Sequence, residues 1–187
     1  MKAPIIMKLA GTNGSGKSTV VHTLLQQYKW EALSTTAKGD PDDYLIKIPG
    51  KRRLVVLGRY TTQCGGCDGI QPYAEIVRRV WQYAATDHHI FMEGLLISGY
   101  GSLGKAFDQM PERRIIYAAM DTPLEECVRR VLARRKAKGN DKPFNRGNLD
   151  FKWLAVRRSM EMLAGIDKET LWVDHKRAVE QVLGIYK

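Results

Sequence analysis

Eight consecutive residues near the N-terminus have the types and spacing of a phosphate-binding loop. They read G-T-N-G-S-G-K-S, which matches the Walker A pattern G-x-x-x-x-G-K-[ST]. Glycines let backbone N–H groups wrap a polyphosphate, Lys17 brings a positive charge to it, and the Ser18 hydroxyl is suited to ligate Mg²⁺. We expect a nucleotide such as ATP, with Mg²⁺, to bind at Gly11, Thr12, Asn13, Gly14, Ser15, Gly16, Lys17, Ser18 and Thr19.

The residues on either side of this loop supply the strand and the helix that the motif requires. Residues 5–10 form a mostly apolar run that is typical of a buried strand. After the loop, apolar residues recur at helical spacing, which predicts a helix from Lys17 to about Lys29. The N-terminus of this helix would point a partial positive charge at the bound anion.

Two carboxylates are candidates for the metal binding and proton transfer that phosphoryl transfer needs. Glu93 ends an apolar strand, F-M-E-G, and could hold Mg²⁺ or accept a proton from a substrate hydroxyl. Asp68 lies in the glycine-rich stretch 58–69 and could act as the base or bind the acceptor. It could equally cap the helix that begins after Pro72. The sequence leaves open which carboxylate is the base.

Arginine and tyrosine side chains supply candidates for substrate contact. Arg59 could bind a phosphate through two hydrogen bonds. Tyr60 directly follows it, and Tyr100 lies in a second glycine-rich stretch. The Tyr60 ring could stack on a base, or the pair could be a surface arginine beside a core tyrosine, and Tyr100 is a further candidate for substrate contact.

Three arginines of the helix after Pro123 are candidates for neutralising charge on the transferring group. Arg130 and Arg134 share one flank, whereas Arg135 falls in line with the apolar stripe of the helix. Because a charge cannot follow that stripe into the core, either the helix has left the core there or Arg135 points into the binding crevice. We expect at least one of the three to take part in phosphoryl transfer.

Cys64 and Cys67 have the spacing of metal ligands, but no second pair follows at zinc spacing. We therefore interpret Cys64-Gly65-Gly66-Cys67 as a tight turn that carries two small apolar side chains. The total of three cysteines also argues against a disulfide framework.

Length and charge constrain the class of protein. The 187 residues suit a single domain over positions 1–187. The formal net charge of +10 fits either a solvated basic surface or a polyanionic partner such as nucleic acid. No apolar run approaches the length of a membrane span, and no signal-peptide pattern is present, so we expect a cytoplasmic location without membrane contact.

Strands and helices alternate along the chain, which predicts an α/β fold of the P-loop NTPase type, with three layers and a mainly parallel sheet. Ligands of such folds bind beyond the carboxyl ends of the strands, so Gly11, Glu93 and Asp121 should converge on one crevice. Residues 44–48 and 54–57 predict a β-hairpin insertion beside the phosphate site. The polar residues 30–41 are expected to be turn-like.

The loop Gly11–Ser18, the strand-end Glu93 and the helix start D-T-P-L-E that leads into an arginine run together resemble small phosphate-loop kinases. They are most similar to the thymidylate-kinase-like group, in which an arginine-rich lid follows such a helix. Thymidylate kinases usually carry an acid before the arginine of an Asp-Arg-Tyr element. Gly58-Arg59-Tyr60 lacks that acid, which argues against a plain thymidylate kinase.

Three longer stretches resemble the bacteriophage 5-hydroxymethyluracil DNA kinases. They are G-R-Y-T-T-Q-C-G-G-C-D-G-I, F-M-E-G-L-L-I-S and R-R-K-A-K-G-N-D-K-P-F-N. The resemblance implies that ATP phosphorylates the hydroxymethyl group of 5-hydroxymethyluracil already in DNA, in the cytoplasm of the phage host. Lys17 and Ser18 would then serve ATP and Mg²⁺, and Glu93 or Asp68 would deprotonate the hydroxymethyl group.

Two other functions remain open at this point. The acceptor could be a free pyrimidine nucleoside or nucleoside monophosphate, as in the thymidylate-kinase-like group. A nucleotide-dependent switch or ATPase has less support, because the arginine run suits transfer rather than hydrolysis.

Overall fold

A computed structural model describes residues 3–62 and 65–186. The strands of this part are β1 (Ile5–Ala10), β2 (Lys29–Thr35), β3 (Pro41–Lys47), β4 (Leu54–Leu57), β5 (His89–Glu93), β6 (Arg114–Asp121) and β7 (Thr170–Asp174). The α-helices are α1 (Lys17–Gln27), α2 (Tyr73–Ala84), α3 (Gly101–Phe107), α4 (Leu124–Ala137), α5 (Arg146–Gly165) and α6 (Ala178–Ile185). A short 3-10 helix covers Cys67–Gly69.

The strands form one sheet in the order β2-β3-β4-β5-β1-β6-β7. β1 is buried along its whole length and pairs in parallel with β5 on one side and β6 on the other. Parallel neighbours end at the same edge of the sheet, with Leu9 opposite Glu93 and Ala10 opposite Ala119. Gly11, Glu93 and Asp121 therefore lie at one edge of the sheet, as predicted, but Asp121 pairs with Arg157 of α5 and does not line the cleft that holds Glu93.

The hairpin belongs to the main sheet, so its prediction as an insertion was wrong. β3 pairs antiparallel with β4, as expected, but β4 pairs in parallel with β5. The prediction of a turn-like segment over residues 30–41 is confirmed only for residues 36–40, because Lys29–Thr35 forms β2 on the edge of the sheet. β2 is almost entirely exposed. An edge strand with both faces in water can be polar, since its stability comes from pairing with β3.

Helices cover both faces of the sheet and complete the predicted three layers. α1 and α6 pack on one face, and α2, α3 and α5 pack on the other. α4 packs beside α5 in a smaller cluster at the end of the sheet that carries the phosphate loop. No helix among residues 3–62 and 65–186 has the length and apolar character of a membrane span.

Candidate active site

The phosphate loop joins the carboxyl end of β1 to the start of α1. Gly14 and Gly16 have φ values of 79° and 101°, in the left-handed region that favours glycine. A Cβ atom at Gly14 would lie 2.5 Å from the Cys127 carbonyl oxygen of α4. Glycine is required there both for the backbone conformation and for the close approach of α4.

Lys17 and Ser18 begin α1 and face two different groups. The Lys17 Nζ donates hydrogen bonds to the carbonyl oxygens of Gly11 at 2.8 Å and Thr12 at 3.3 Å. The Ser18 hydroxyl donates to Glu93 Oε1 at 2.8 Å. The amine thus lies over the loop that would surround a phosphate, and the hydroxyl lies against the strand-end carboxylate.

Glu93 is buried at the end of β5, with an exposure of 1%. Burial raises its pKa to about 7, although the nearby Lys17 charge and the hydrogen bond from Ser18 act in the opposite direction. None of the described residues donates a hydrogen bond to its Oε2 atom. One carboxylate oxygen is therefore engaged with Ser18, and the other is buried with the Tyr60 hydroxyl close to the carboxylate.

The oxygen atoms of Ser18 and Glu93 fit a magnesium site. Mg²⁺ in such sites binds one or two protein oxygens and completes its coordination with substrate phosphates and water. No cluster of three or more His, Cys, Asp or Glu side chains that could hold a metal occurs in the described part of the chain. Ser18 and Glu93 together could hold Mg²⁺ only with a phosphate ligand to share it.

The glycine-rich stretch 58–69 packs directly on this pair. Gly65 N–H approaches the Ser18 hydroxyl oxygen at 3.4 Å, and Gly66 N–H donates to the Arg59 carbonyl oxygen at 3.2 Å. A Cβ atom at Gly66 would lie 2.5 Å from Glu93 Oε1, and its φ of 97° also favours glycine. The paired glycines therefore allow the loop to close over Glu93.

Asp68 holds the turn that follows Glu93. Its two carboxylate oxygens accept hydrogen bonds from Leu95 N–H and Leu96 N–H, both at 2.9 Å. It does not cap α2, whose N-cap residue is Pro72. Asp68 lines the same cleft as Glu93, but both of its oxygens are already engaged with the backbone.

The cysteine pair is described only in part. Cys67 is fully buried, and burial raises the pKa of its thiol well above the ordinary value. This agrees with a small apolar side chain. Cys64 lies outside the described residues.

A cleft of about 1250 Å³ runs from the phosphate loop between α4 and the β7–α6 connection. One end holds Lys17, Ser18, Asp68 and Glu93. The other end is lined by α4 and by residues that the sequence did not single out: Ala133, Ala137, His175, Lys176, Arg177, Ala178, Val179 and Leu183. The last six follow β7, and only that position at the carboxyl edge of the sheet could have pointed to them.

Two of the three predicted α4 arginines reach this cleft. Arg130 and Arg134 line it, and Arg130 Nη1 lies 3.4 Å from both the Gly14 and Ser15 carbonyl oxygens. Arg135 donates instead to the Lys142 carbonyl oxygen and to Asn140 Oδ1. The helix has left the core at that point, so the alternative of Arg135 in the crevice was wrong.

The two tyrosines proposed for substrate contact lie elsewhere. Tyr60 is buried, and its ring packs edge-on against Tyr44, with ring centroids 5.9 Å apart. Its ring therefore cannot stack on a base. The Tyr100 hydroxyl donates to Asp108 at the far end of α3, and Tyr100 is not among the residues that line the cleft. Arg59 does not line the cleft either, but its side chain is half exposed and pairs with Asp42.

Thr122, directly after β6, holds the phosphate loop through a hydrogen bond to Ser15. Its hydroxyl donates to the Ser15 carbonyl oxygen at 2.8 Å, and its carbonyl oxygen accepts from Trp153 Nε1 at 3.0 Å. The Arg157 guanidinium lies 4.0 Å from the Trp153 ring and donates to Asp121 Oδ1. These contacts tie the loop to β6 and α5.

Lys8 of β1 holds the far end of the turn after Glu93, at Ser98 and Gly99. It lies in the central strand with an exposure of 1%, and its Nζ donates to the carbonyl oxygens of Gly99 at 2.7 Å and Ser98 at 3.4 Å. Burial lowers its pKa to about 7. With Asp68 holding Leu95 and Leu96, the turn is fixed at both ends.

Replacing Lys8 by methionine should therefore stabilise the fold but weaken binding of the acceptor. The unfolded chain binds more protons than the folded one between about pH 7 and 10.5, so Lys8 lowers the free energy of unfolding most at pH 7 and below. We expect Lys8→Met to gain melting temperature relative to the parent more at pH 6 than at pH 10, and to raise KM for the acceptor. Lys105→Met, at an exposed lysine of α3, is the control. An unchanged KM would contradict a role for Lys8 in holding the turn.

Comparison with known proteins identifies relatives of this chain. A family model described as 5-hmdU DNA kinase matches residues 4–162. A 5-hmdU DNA kinase of Pseudomonas phage PaMx11 is 35% identical over 144 residues, which cover 74% of this chain and 73% of that protein. The 5-hmdU DNA kinase 1 of Salmonella phage ViI is 27% identical over 168 residues, covering 83% and 69%. A 5-hmdU DNA kinase of Bacillus phage SP10 is 25% identical over 195 residues, which cover 94% of this chain but 28% of that longer protein.

A solved structure shares the fold. A chain from the PezAT chromosomal toxin–antitoxin system of Streptococcus pneumoniae matches with a TM-score of 0.52 and 13% identity. The match covers 95% of this chain and 70% of the other. At this identity the likeness concerns the architecture alone, and it agrees with the predicted α/β fold.

Proposed function

The chain belongs to the 5-hmdU DNA kinase family, and from this membership we propose that it transfers the γ-phosphoryl group of ATP to the hydroxymethyl group of 5-hydroxymethyluracil in DNA. As a kinase it is a phosphotransferase. The observation that best supports the proposal is the meeting of Lys17, Ser18 and Glu93 at one end of the cleft. These groups are the cation, the metal ligand and the proton acceptor that transfer to a hydroxyl requires.

Glu93 is proposed as the base. The hydroxymethyl oxygen forms a bond to the γ-phosphorus, the bond from that phosphorus to the bridging oxygen of ADP breaks, and the hydroxyl proton passes to Glu93 Oε2. A pKa of about 7 suits a group that must accept this proton near neutral pH. Asp68 is the weaker candidate, because both of its oxygens already accept backbone hydrogen bonds.

The remaining cleft residues bind and orient the nucleotide. Bound Mg²⁺, held by Ser18 and Glu93, would offset negative charge on the phosphates. Lys17 would move its hydrogen bonds from the Gly11 and Thr12 carbonyl oxygens to phosphate oxygens. Arg130 and Arg134 would add positive charge from α4. The nucleoside would lie toward the residues 175–179 at the other end of the cleft.

The acceptor base would approach Glu93 from the side of the turn that Asp68 holds through Leu95 and Leu96. A base inside a duplex cannot reach a buried carboxylate, so it must be extruded or presented in a single strand. We propose that positions 1–187 form one catalytic domain that carries out this reaction. The relative from Bacillus phage SP10 is longer, and the match covers only 28% of it, so that protein contains further segments.

A radiolabel transfer assay tests the function. Purified protein and γ-labelled ATP are incubated with DNA containing 5-hydroxymethyluracil, with thymine DNA of the same sequence, and with free 5-hydroxymethyl-deoxyuridine monophosphate. We expect label in the modified DNA alone, and we expect KM for that DNA to rise steeply with salt because phosphate contacts release counterions. Label on the free nucleotide alone would replace the proposal with a nucleotide kinase.

A further inference from the structure

Arg59 lies at the edge of the sheet where the proposed base ends its strand. β4 and β5 are parallel with Leu57 opposite Met92, so Arg59 and Glu93 come at the same edge. Gly66 separates them: it donates to the Arg59 carbonyl oxygen, and its Cα faces Glu93 Oε1. Gly58, with a φ of 102°, interrupts the extended backbone after Leu57, and the Arg59 guanidinium lies beside Asp42, which also contacts Arg79 of α2.

The Arg59 guanidinium has a loose ion pair with Asp42. Nη2 lies 3.5 Å from Asp42 Oδ1, and 51% of the Arg59 side chain is exposed. The pair is a single contact rather than a bidentate one. Exposed pairs of this kind change equilibria by only a few-fold, so a stronger anion can displace Asp42.

Asp42 is held far more firmly by Arg79 of α2. Arg79 Nη2 lies 2.7 Å from Asp42 Oδ2, and both side chains are nearly buried. Arg79 also pairs with Asp43 at 3.1 Å and with Glu75 at 2.8 Å. When Arg59 leaves, Asp42 therefore keeps a positive partner and no buried charge is left uncompensated.

We propose that Arg59 is a binding subsite for a backbone phosphate of the DNA next to the reacting nucleotide, and that Asp42 occupies the guanidinium until that phosphate replaces it. The inference rests on the proposed function for its ligand. Asp42 acts as a competitor, and it lowers the affinity for DNA. An acid that positions an arginine for its substrate would instead raise the affinity for DNA.

The direction in which Asp42→Asn changes the affinity for DNA shows whether Asp42 competes with the phosphate or positions Arg59 for it. Asp42→Asn removes the competitor and should tighten binding of a 5-hydroxymethyluracil oligonucleotide by about two- to fivefold. Glu75→Gln is the matched control, because it removes one negative charge from the same cluster without a contact to Arg59. It should change the affinity by much less. Fluorescence anisotropy at several salt concentrations measures both variants.

A double-mutant cycle assigns the effect to Arg59. Arg59→Gln should weaken DNA binding and reduce the salt dependence by about one phosphate contact. In that background Asp42→Asn should have no further effect. Weaker binding by Asp42→Asn, or equal gains in Asp42→Asn and Glu75→Gln, would overturn the proposal.

A second ligand distinguishes failure of this inference from failure of the proposed function. The same variants are titrated with free 5-hydroxymethyl-deoxyuridine monophosphate. A gain on the oligonucleotide alone supports a DNA phosphate at Arg59. A gain on the free nucleotide alone overturns the DNA phosphate at Arg59 and leaves the function to be decided by the transfer assay. No gain on either ligand, with transfer to DNA intact, overturns the subsite and leaves the function standing.

Discussion

Replacing Lys17 by alanine is expected to lower the rate of phosphate transfer by about a thousandfold or more while the protein stays folded. The amine is the cation of the phosphate loop, and transfer depends on charge placed where the γ-phosphate reacts. In the structure its hydrogen bonds go to the Gly11 and Thr12 carbonyl oxygens, so its loss breaks no ion pair in the core. Single-turnover transfer of labelled phosphate and thermal melting of the same sample measure the two effects.

The matched control is Lys47→Ala. Lys47 is half exposed on β3 and pairs with Glu31 on the edge strand β2, so its loss removes one positive charge without touching the cleft. We expect nearly full transfer in this variant. Comparable rates in Lys17→Ala and Lys47→Ala would contradict the phosphate-loop assignment itself.

The central part of the fold could be predicted because its signals are local. A Walker A loop needs a strand before it and a helix after it, and the strand-end Glu93 follows from an apolar run. The parallel-sheet rule then brings both to one edge, which the pairing of Leu9 with Glu93 confirms. Roles of individual residues within this site stay predictions.

The errors concern contacts that join distant parts of the chain. The pairing of β4 with β5 spans more than thirty residues and leaves no local mark, so the hairpin was placed outside the sheet. β2 was missed because an edge strand in water carries polar residues.

The prediction that the Tyr60 ring stacks on a base was wrong because Arg59 and Tyr60 lie on opposite faces of the chain. Side chains alternate along an extended chain, so Arg59 and Tyr60 cannot both face the substrate. Tyr60 packs with Val56 in the core beneath α1, and Arg59 projects on the other face. The alternation was readable in the sequence, but which face carried the substrate was not. Lys8 shows the same limit, since its type predicts nothing about the turn that it supports.

Glu93→Gln is expected to lower kcat by about a hundred- to ten-thousandfold, with a small change in KM for ATP. Glutamine still accepts a hydrogen bond from Ser18, but it cannot take the proton of the acceptor hydroxyl. Burial raises the pKa of Glu93 to about 7 before a metal binds, and a Mg²⁺ ion held beside it would lower that pKa, so the wild-type rate should rise with pH up to about neutrality as the carboxylate becomes ionised. The variant should lose this rise, and a pH–rate profile of transfer to modified DNA measures it.

Asp68→Asn decides between the two carboxylates. Asp68 holds Leu95 and Leu96, so its loss should loosen the turn and raise KM for the acceptor while the rise in rate near pH 7 remains. A full kcat in Glu93→Gln together with a lost pH dependence in Asp68→Asn would move the base to Asp68. The distinction rests on one structural difference: Glu93 has a buried oxygen with no hydrogen bond from the described residues, whereas both oxygens of Asp68 are engaged.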